Sequence, residues 1–193
     1  MPTGWRELRA ALAARPPELV PDAAAQRAAV ALILRDGPAG LELLFVRRAE
    51  HPQDPWSGQM AFPGGRREAG DGELCVTAQR ETAEEIGLDL ASGGELLGAL
   101  DEIRAVARMR PMNLVISPFV FRLDAADELR LSGEVVSVHW LTLDALLGTD
   151  CRSWLDYRYG TEEHRLPCLR FDNIVIWGLT YRMFTGLSQR LGG

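Results

Sequence analysis

The chain has 193 residues, of which 47% are hydrophobic and 25% charged, so it is long enough to bury one sizeable core. Its formal net charge of −6 argues against a general nucleic-acid-binding protein, which usually presents a basic face. No apolar run is long enough to span a bilayer, and residues 1–20 lack the apolar core of a secretory signal. The three cysteines are far apart and indicate neither a disulfide framework nor a zinc site, so a cytoplasmic protein is expected.

Predicted helices and strands interleave along the chain. Prolines close a first helix at about residues 4–15, and a glycine-containing turn joins strands 28–35 and 41–47 into a hairpin. The later elements are strands at 59–62, 95–100, 114–123, 134–141 and 165–171, the last at a sheet edge, and helices at 72–86, 143–147 and 173–191. No linker or repeat interrupts them, so the sequence predicts a single α/β domain over residues 1–193 with a mixed sheet between helices.

The helix predicted at 72–86 carries three carboxylates near its C-terminal end. Glu81 and Glu85 are one turn apart and Glu84 lies beside them, so the three share one side of the helix. Such crowding is unfavourable unless a cation relieves it, and clustered carboxylates are what a hard divalent cation binds. The sequence therefore predicts a metal site here. A solvated acidic face, with Arg80 pairing to Glu84, is the alternative.

The residues around this helix predict how it is held. Pro63, Gly64 and Gly65 suit a turn that needs backbone freedom, and Asp71 suits the N-cap of the helix. Gly87 suits the left-handed position just past its end. The opposite face is expected to pack on the sheet while the acidic face is turned to solvent. That opposite face consists of Cys75, Val76, Gln79, Ala83 and Ile86.

Residues 64–88 resemble the Nudix box, whose usual form is Gly-x5-Glu-x7-Arg-Glu-U-x-Glu-Glu-x-Gly-U, with U aliphatic. The second half fits at each specified position except Thr82, which stands at an aliphatic position. In the first half Asp71 stands in place of glutamate, and eight residues rather than seven separate it from Arg80.

The longer spacer resembles the coenzyme A pyrophosphatase branch of that family. Residues 55–65 resemble its Gly-x3-Phe-Pro-Gly-Gly signature, and residues 175–180 are similar to the Trp-Gly-x-Thr start of its last helix. Two positions depart from the branch, because Phe45 replaces a threonine and Asp54 stands where an arginine is expected. Coenzyme A is therefore the leading substrate expectation.

The Nudix resemblance implies an α/β/α sandwich with a central mixed β-sheet. It also implies that water, activated by Mg²⁺ or Mn²⁺, attacks a diphosphate bridge and releases two phosphorylated fragments. Glu81, Glu84, Glu85 and the carbonyl of Gly64 would be metal ligands, and Arg80 would orient a glutamate. These five residues are the core of the expected site.

The general base and the substrate contacts are less constrained. Among the candidates for the base, Glu134 is slightly favoured because Glu134-Val135 is similar to a Glu-Val pair in the coenzyme A branch, and Asp101 and Glu102 are the alternatives. For each of the three, a solvated loop carboxylate is favoured over a catalytic role. Arginine suits bidentate recognition of phosphate. The arginines expected to bind substrate are Arg47, Arg48, Arg104 and Arg108.

Three functions remain open at this stage. The first is hydrolysis of coenzyme A or a related nucleoside diphosphate derivative, and the second is hydrolysis of ADP-ribose or another nucleotide derivative. The third is a non-catalytic Nudix-fold sensor that binds a nucleotide, against which the intact glutamate set speaks. The expected partner is a small molecule, with neither nucleic acid nor membrane, and a homodimer is left open.

Overall fold

The computed structural model describes residues 3–107, 110–124 and 128–193. In these segments the chain forms a mixed sheet of eight strands, helices on both faces of it, and a second sheet of three strands. This confirms the predicted α/β architecture. No helix of the described segments is long and apolar enough to cross a membrane.

The elements have the following bounds. The helices are α1 Trp5–Ala13, α2 Leu74–Ile86, α3 Leu90–Gly93, α4 Leu143–Leu147 and α5 Gly178–Arg190. The strands are β1 Gln26–Gly37, β2 Gly40–Arg48, β3 Met60–Ala61, β4 Gly64–Arg66, β5 Gly94–Ala99, β6 Ile103–Ala107, β7 Arg110–Leu123, β8 Val135–Thr142, β9 Arg152–Tyr159, β10 Glu162–Phe171 and β11 Ile174–Trp177.

Strand β1 organises the large sheet. It runs parallel to β7 and antiparallel to β2 and β4, and the main path through the sheet is β3-β2-β1-β7-β5. Both faces of β1 are buried, which explains its nearly continuous apolar sequence. Alternate side chains enter two different hydrophobic clusters: Leu32 lies in the cluster under α1, α4 and α5, whereas Ile33 lies in the cluster under α2 and α3.

The C-terminal region differs from the sequence prediction. Residues expected to begin the last helix form β11 instead, and that helix begins at Gly178. Asp172 takes a left-handed backbone conformation, with φ 46°, and the chain folds back so that β11 pairs with β10. The strand expected at a sheet edge is therefore wrong in its placement, because β10 lies between β9 and β11.

Helix α2 also presents a different face to the sheet from the one predicted. The buried positions include Thr77, Ala78, Thr82 and Ile86, whereas Val76 is 41% exposed. Small residues at the buried positions let the helix backbone lie close to β1 and β4. Of the predicted packing face, Ile86 is buried as expected, whereas Val76 and Ala83 are exposed, and the burial of the two threonines was not predicted.

Helix α1 gives a test of the packing. Leu8 is 0% exposed in the cluster under α5, so Leu8→Ala should lower the free energy of unfolding by about 2–5 kcal/mol. Arg6→Ala is the matched control in the same helix, since its side chain is 89% exposed, and it should change stability by less than about 0.5 kcal/mol. Urea denaturation measures both; equal losses would contradict this packing.

Candidate functional site

Two glycines bring strand β4 against helix α2. Gly64 lies at φ 151°, and a side chain there would overlap the backbone of Ala29 and Val30 on β1. A Cβ atom on Gly65 would lie 2.5 Å from both carboxylate oxygens of Glu81. The segment that the sequence predicted as a turn is therefore a short strand whose glycines admit a carboxylate.

The carboxylate of Glu85 lies beneath this strand. The residue is 4% exposed, and its Oε2 accepts a hydrogen bond of 3.1 Å from the backbone N–H of Gly64. Arg48 Nη1 lies 3.7 Å from Oε1. Burial raises the pKa of Glu85 to about 7, and the negative charges of Glu81 and Glu134 add to this effect, while the N–H of Gly64 and Arg48 oppose it.

Glu81 is the second carboxylate of the site. Its oxygen lies 3.0 Å from Arg80 Nη1, and burial raises its pKa despite that contact. The charges of Glu84 and Glu134 also act to raise it. Since Glu134 acts electrostatically on both Glu81 and Glu85, the structure brings the predicted base near the carboxylates, which repel one another.

Glu84 is placed differently from its neighbours. Its side chain is 59% exposed and pairs with Arg80 at 3.0 Å, as the alternative reading of the sequence expected. The prediction that the acidic side of the helix is turned to solvent is therefore wrong for Glu85, because the helix is rotated to bury that residue. Across the described residues, no three acidic, histidine or cysteine side chains already converge on a point that could hold an ion.

Arg80 is held by a buried acid at the start of the motif. Its Nε and Nη2 atoms each lie 3.0 Å from an oxygen of Asp71, which also accepts a hydrogen bond of 2.9 Å from Thr77. The Arg80 guanidinium holds the pKa of Asp71 well below its usual range. The N-cap prediction for Asp71 was wrong, since Glu73 takes that position. Asp71 instead positions Arg80 between Glu81 and Glu84.

The two alternative bases have structural partners elsewhere. Asp101 accepts a hydrogen bond of 2.9 Å from Arg190, and Arg15 also pairs with it. Glu102 accepts one of 2.8 Å from Arg27 and one of 2.7 Å from Ser117. These pairs tie the N-terminal segment and α5 to the sheet, so neither acid lies with the carboxylates of α2.

The predicted substrate arginines are not brought together. Arg48 lies at the site, where it pairs with Asp54 at 2.7 Å as well as approaching Glu85. The Nη2 of Arg47 donates to the carbonyl oxygen of Asn173 on the opposite side of β2. The remaining two predictions concern Arg104 and Arg108. Arg104 pairs with Asp22 at 2.6 Å, and Arg108 lies outside the described residues.

A cavity of about 350 Å³ opens beside β4. Arg48, Gly64 and Gly65 form the wall nearest to the carboxylates, and much of the remaining wall is apolar. Its other apolar members include Ala28, Val30, Trp56, Met60, Phe62, Leu114, Ile116, Leu179 and Met183. The hydroxyl of Thr180 donates to the carbonyl of Met60 at 2.8 Å and so fixes the start of α5 against β3. The contribution of β7 and α5 to this wall is a tertiary effect that the sequence motifs did not reveal.

The residues of the site fit a divalent cation in charge and burial. The negative charges of Glu81, Glu85 and Glu134 repel one another, and a bound divalent cation would relieve this repulsion. Glu84 is near enough along the helix to join them if it leaves Arg80. The donor set consists of oxygen atoms, as Mg²⁺ and Mn²⁺ prefer.

Comparison with known proteins matches most of the chain to one family. A family model described as the NUDIX domain matches residues 25–159. A Nudix hydrolase NudL of Yersinia enterocolitica is 30% identical over 152 residues, which cover 77% of this chain and 73% of that protein. The NudL of Yersinia pestis is 31% identical over 169 residues, which cover 86% and 80%.

Two further similarities are more partial. An uncharacterized protein of Schizosaccharomyces pombe is 41% identical over 115 residues, but this chain spans only 35% of its length. The solved structure of an Ap4A hydrolase of Caenorhabditis elegans is 20% identical, covers 63% of this chain and 83% of its own, and has a TM-score of 0.48.

The raised pKa of Glu85 predicts how stability depends on pH in metal-free protein. Because the folded pKa, about 7, exceeds the ordinary value of 4.5, the folded state binds more protons between these values and loses stability as the pH rises through them. Glu85→Gln should remove this loss, so the variant's free energy of unfolding should fall less between pH 4.5 and 8. Urea denaturation in EDTA measures it, with Glu73→Gln as the control; identical pH slopes for Glu85→Gln and wild type would contradict the burial.

Proposed function

This chain belongs to the NUDIX family, and from that premise we propose that it hydrolyses the diphosphate linkage of coenzyme A or a related nucleoside diphosphate derivative. The family and the enzyme class, a Nudix-type pyrophosphatase, are confirmed as the sequence predicted. The substrate and the roles of individual residues are the proposal.

The observation that carries the proposal is the mutually repelling pair of Glu85, which is buried, and Glu81, which is half-buried. Burying a carboxylate costs free energy unless hydrogen bonds and opposite charge compensate it. Here one backbone N–H and a guanidinium 3.7 Å away provide only part of that compensation. A cation bound at these oxygens would supply the rest, and it would lie beside the cavity in which a substrate fits.

Glu81, Glu84, Glu85 and the carbonyl of Gly64 would hold the ion. Bound Mg²⁺ or Mn²⁺ supplies charge that neutralises phosphate oxygens and lowers the pKa of a coordinated water. Glu134 would accept the proton of the attacking water. Arg80, fixed by Asp71, would orient Glu81 and release Glu84 when the cation replaces its positive charge.

Arg48 would meet the diphosphate. It lines the cavity and also approaches Glu85, so it lies where the substrate's bridge must pass from the cavity to the carboxylates. Its pairing with Asp54 keeps the guanidinium in that place. Two guanidinium donors suit phosphate oxygens, which carry the charge that builds up in phosphoryl transfer.

The apolar wall of the cavity supports coenzyme A over ADP-ribose. One half of ADP-ribose beyond the diphosphate is a polar sugar, whereas the corresponding half of coenzyme A is a long chain with many CH₂ groups. Apolar surface is buried favourably only against an apolar partner, at roughly 25 cal/mol per Å². Met60, Phe62 and Met183 offer such a partner.

We also treat residues 1–193 as a single domain located in the cytoplasm. The cluster under α5 contains side chains from α1, β1, β2 and α5, so the two ends of the chain share one core. Cys75, Cys151 and Cys168 are all free thiols, which suits a reducing compartment.

A substrate panel tests the proposal directly. Purified protein with Mg²⁺ or Mn²⁺ is incubated with coenzyme A, ADP-ribose, NADH and dinucleoside polyphosphates, and the fragments are identified by mass spectrometry. Coenzyme A should be cleaved fastest, into two phosphorylated halves. Faster cleavage of ADP-ribose would overturn the substrate assignment, and no cleavage of any compound would favour a nucleotide-binding sensor.

Glu85→Gln tests the role of the buried acid. It should lower kcat by about 10²–10³-fold, because a preorganised charge at the reacting centre is lost, while the fold remains intact. Glu73→Gln, in the N-cap position of the same helix and away from the cavity, should keep wild-type turnover. Equal turnover of Glu85→Gln and Glu73→Gln would remove Glu85 from the mechanism.

A further inference from the structure

A second cavity adjoins the first. Its volume is about 180 Å³, and it shares Pro55, Trp56, Gln59 and Leu179 with the larger cavity. Its remaining wall comes from β6, β9, β10, β11 and the start of α5, and includes Val106, Tyr157, Leu166, Trp177 and Arg182. The two cavities are therefore neighbours that share one stretch of wall.

Three aromatic side chains contribute to this second wall: Trp56, Tyr157 and Trp177. Tyr157 and Trp177 lie with their ring centroids 5.0 Å apart and tilted by 42°. Trp56 donates its ring N–H to the carbonyl of Val106 at 3.3 Å, which fixes the orientation of its ring. Tyr157 and Trp177 are outside both hydrophobic clusters of the described chain, so the core does not account for them. Aromatic surfaces of this kind bind flat ring systems by stacking.

Positive charge lies at the mouth of the same cavity. Arg182 is exposed, and its Nη1 donates to the backbone carbonyl of Arg104 at 3.1 Å. Within the described segments it has no carboxylate at ion-pair distance, so its other donors remain available. Gly178 and Leu179, the first residues of α5, line the cavity and add the positive end of the helix dipole.

We propose that the second cavity binds the nucleoside half of the substrate. Its base lies against Tyr157 and Trp177, and a phosphate on its sugar is held by Arg182. This inference rests on the proposed function, which supplies the diphosphate that joins the two halves. The larger, mostly apolar cavity then receives the half without the base. Arg182 thereby takes the role that the sequence had given to Arg104.

Binding to the intact, metal-free protein tests the subsite without turnover. Adenosine 3′,5′-bisphosphate and adenosine 5′-monophosphate are titrated in EDTA by calorimetry. Wild type should bind the bisphosphate about tenfold more tightly, as one charge-assisted contact provides. Arg182→Gln should bring the ratio near one, and Arg182→Lys should keep part of it. Arg158→Gln, an exposed arginine outside the cavity, should leave the ratio unchanged.

The aromatic wall is tested with the same two ligands. Tyr157→Leu should weaken both by about fivefold or more, since a stacked ring is lost, while Tyr157→Phe should bind as wild type does. Tyr159→Leu is the matched control, because it lies on the same strand but outside the cavity. Circular dichroism verifies folding. If Tyr157→Leu does not fold, the comparison of Arg182→Gln with Arg182→Lys tests the subsite instead. Failure of wild type to bind either ligand, or an unchanged ratio in Arg182→Gln, would overturn the subsite.

Turnover separates this inference from the proposed function. With Mg²⁺, Arg182→Gln should raise the KM for coenzyme A about tenfold, leave kcat unchanged, and leave the KM for 3′-dephospho-coenzyme A unchanged. If wild type cleaves coenzyme A rapidly and Arg182→Gln has the same KM, the subsite is contradicted and the proposed function is not. Binding of the bisphosphate that depends on Tyr157 and Arg182, without cleavage of any diphosphate, would sink the proposed function alone.

Discussion

The burial of Glu85 beneath strand β4 is the constraint on which the rest of the site depends. A carboxylate with 4% exposure needs compensation, and it receives one hydrogen bond from Gly64 and a distant guanidinium from Arg48. The negative charges of Glu81 and Glu134 oppose this compensation and raise the pKa of Glu85. The negative charge of Glu85 is therefore only partly compensated, and a divalent cation bound beside it would offset the remainder.

The fold creates that arrangement by close approach of backbone to side chain. Strand β4 pairs with β1, and α2 packs across both, so the carboxylates of the helix meet the backbone of β4. Glycine is required at Gly64 because a side chain there would overlap the backbone of β1, whereas a side chain at Gly65 would displace the carboxylate of Glu81. Gly64 and Gly65 also line the larger cavity together with Arg48, so one wall of that cavity adjoins the backbone that contacts the carboxylates.

Local sequence predicted the β1–β2 hairpin, the acidic helix and its glycine end, because each depends on neighbouring residues, but it did not predict α3, β6 or β9. It did not predict the rotation of α2. Thr82 satisfies its hydroxyl by donating to the carbonyl of Ala78 at 2.7 Å, and Thr77 does so with Asp71, so polar residues enter the buried face at little cost. The partners of Asp71 and Arg182 likewise depend on tertiary contacts, and so does strand β11. The periodicity of the sequence does not reveal such contacts.

The central claim is that Glu85 and its neighbours bind a divalent cation in place of a proton. Calorimetric titration of Mn²⁺ into metal-free protein, repeated in buffers of different ionisation enthalpy, counts the protons released on binding. With a pKa of about 7 for Glu85, most of a proton should leave at pH 6 and little at pH 8.5, and Glu85→Gln should abolish the difference. Tight Mn²⁺ binding with the same proton release at both pH values, or binding that Glu85→Gln leaves unchanged, would contradict the account.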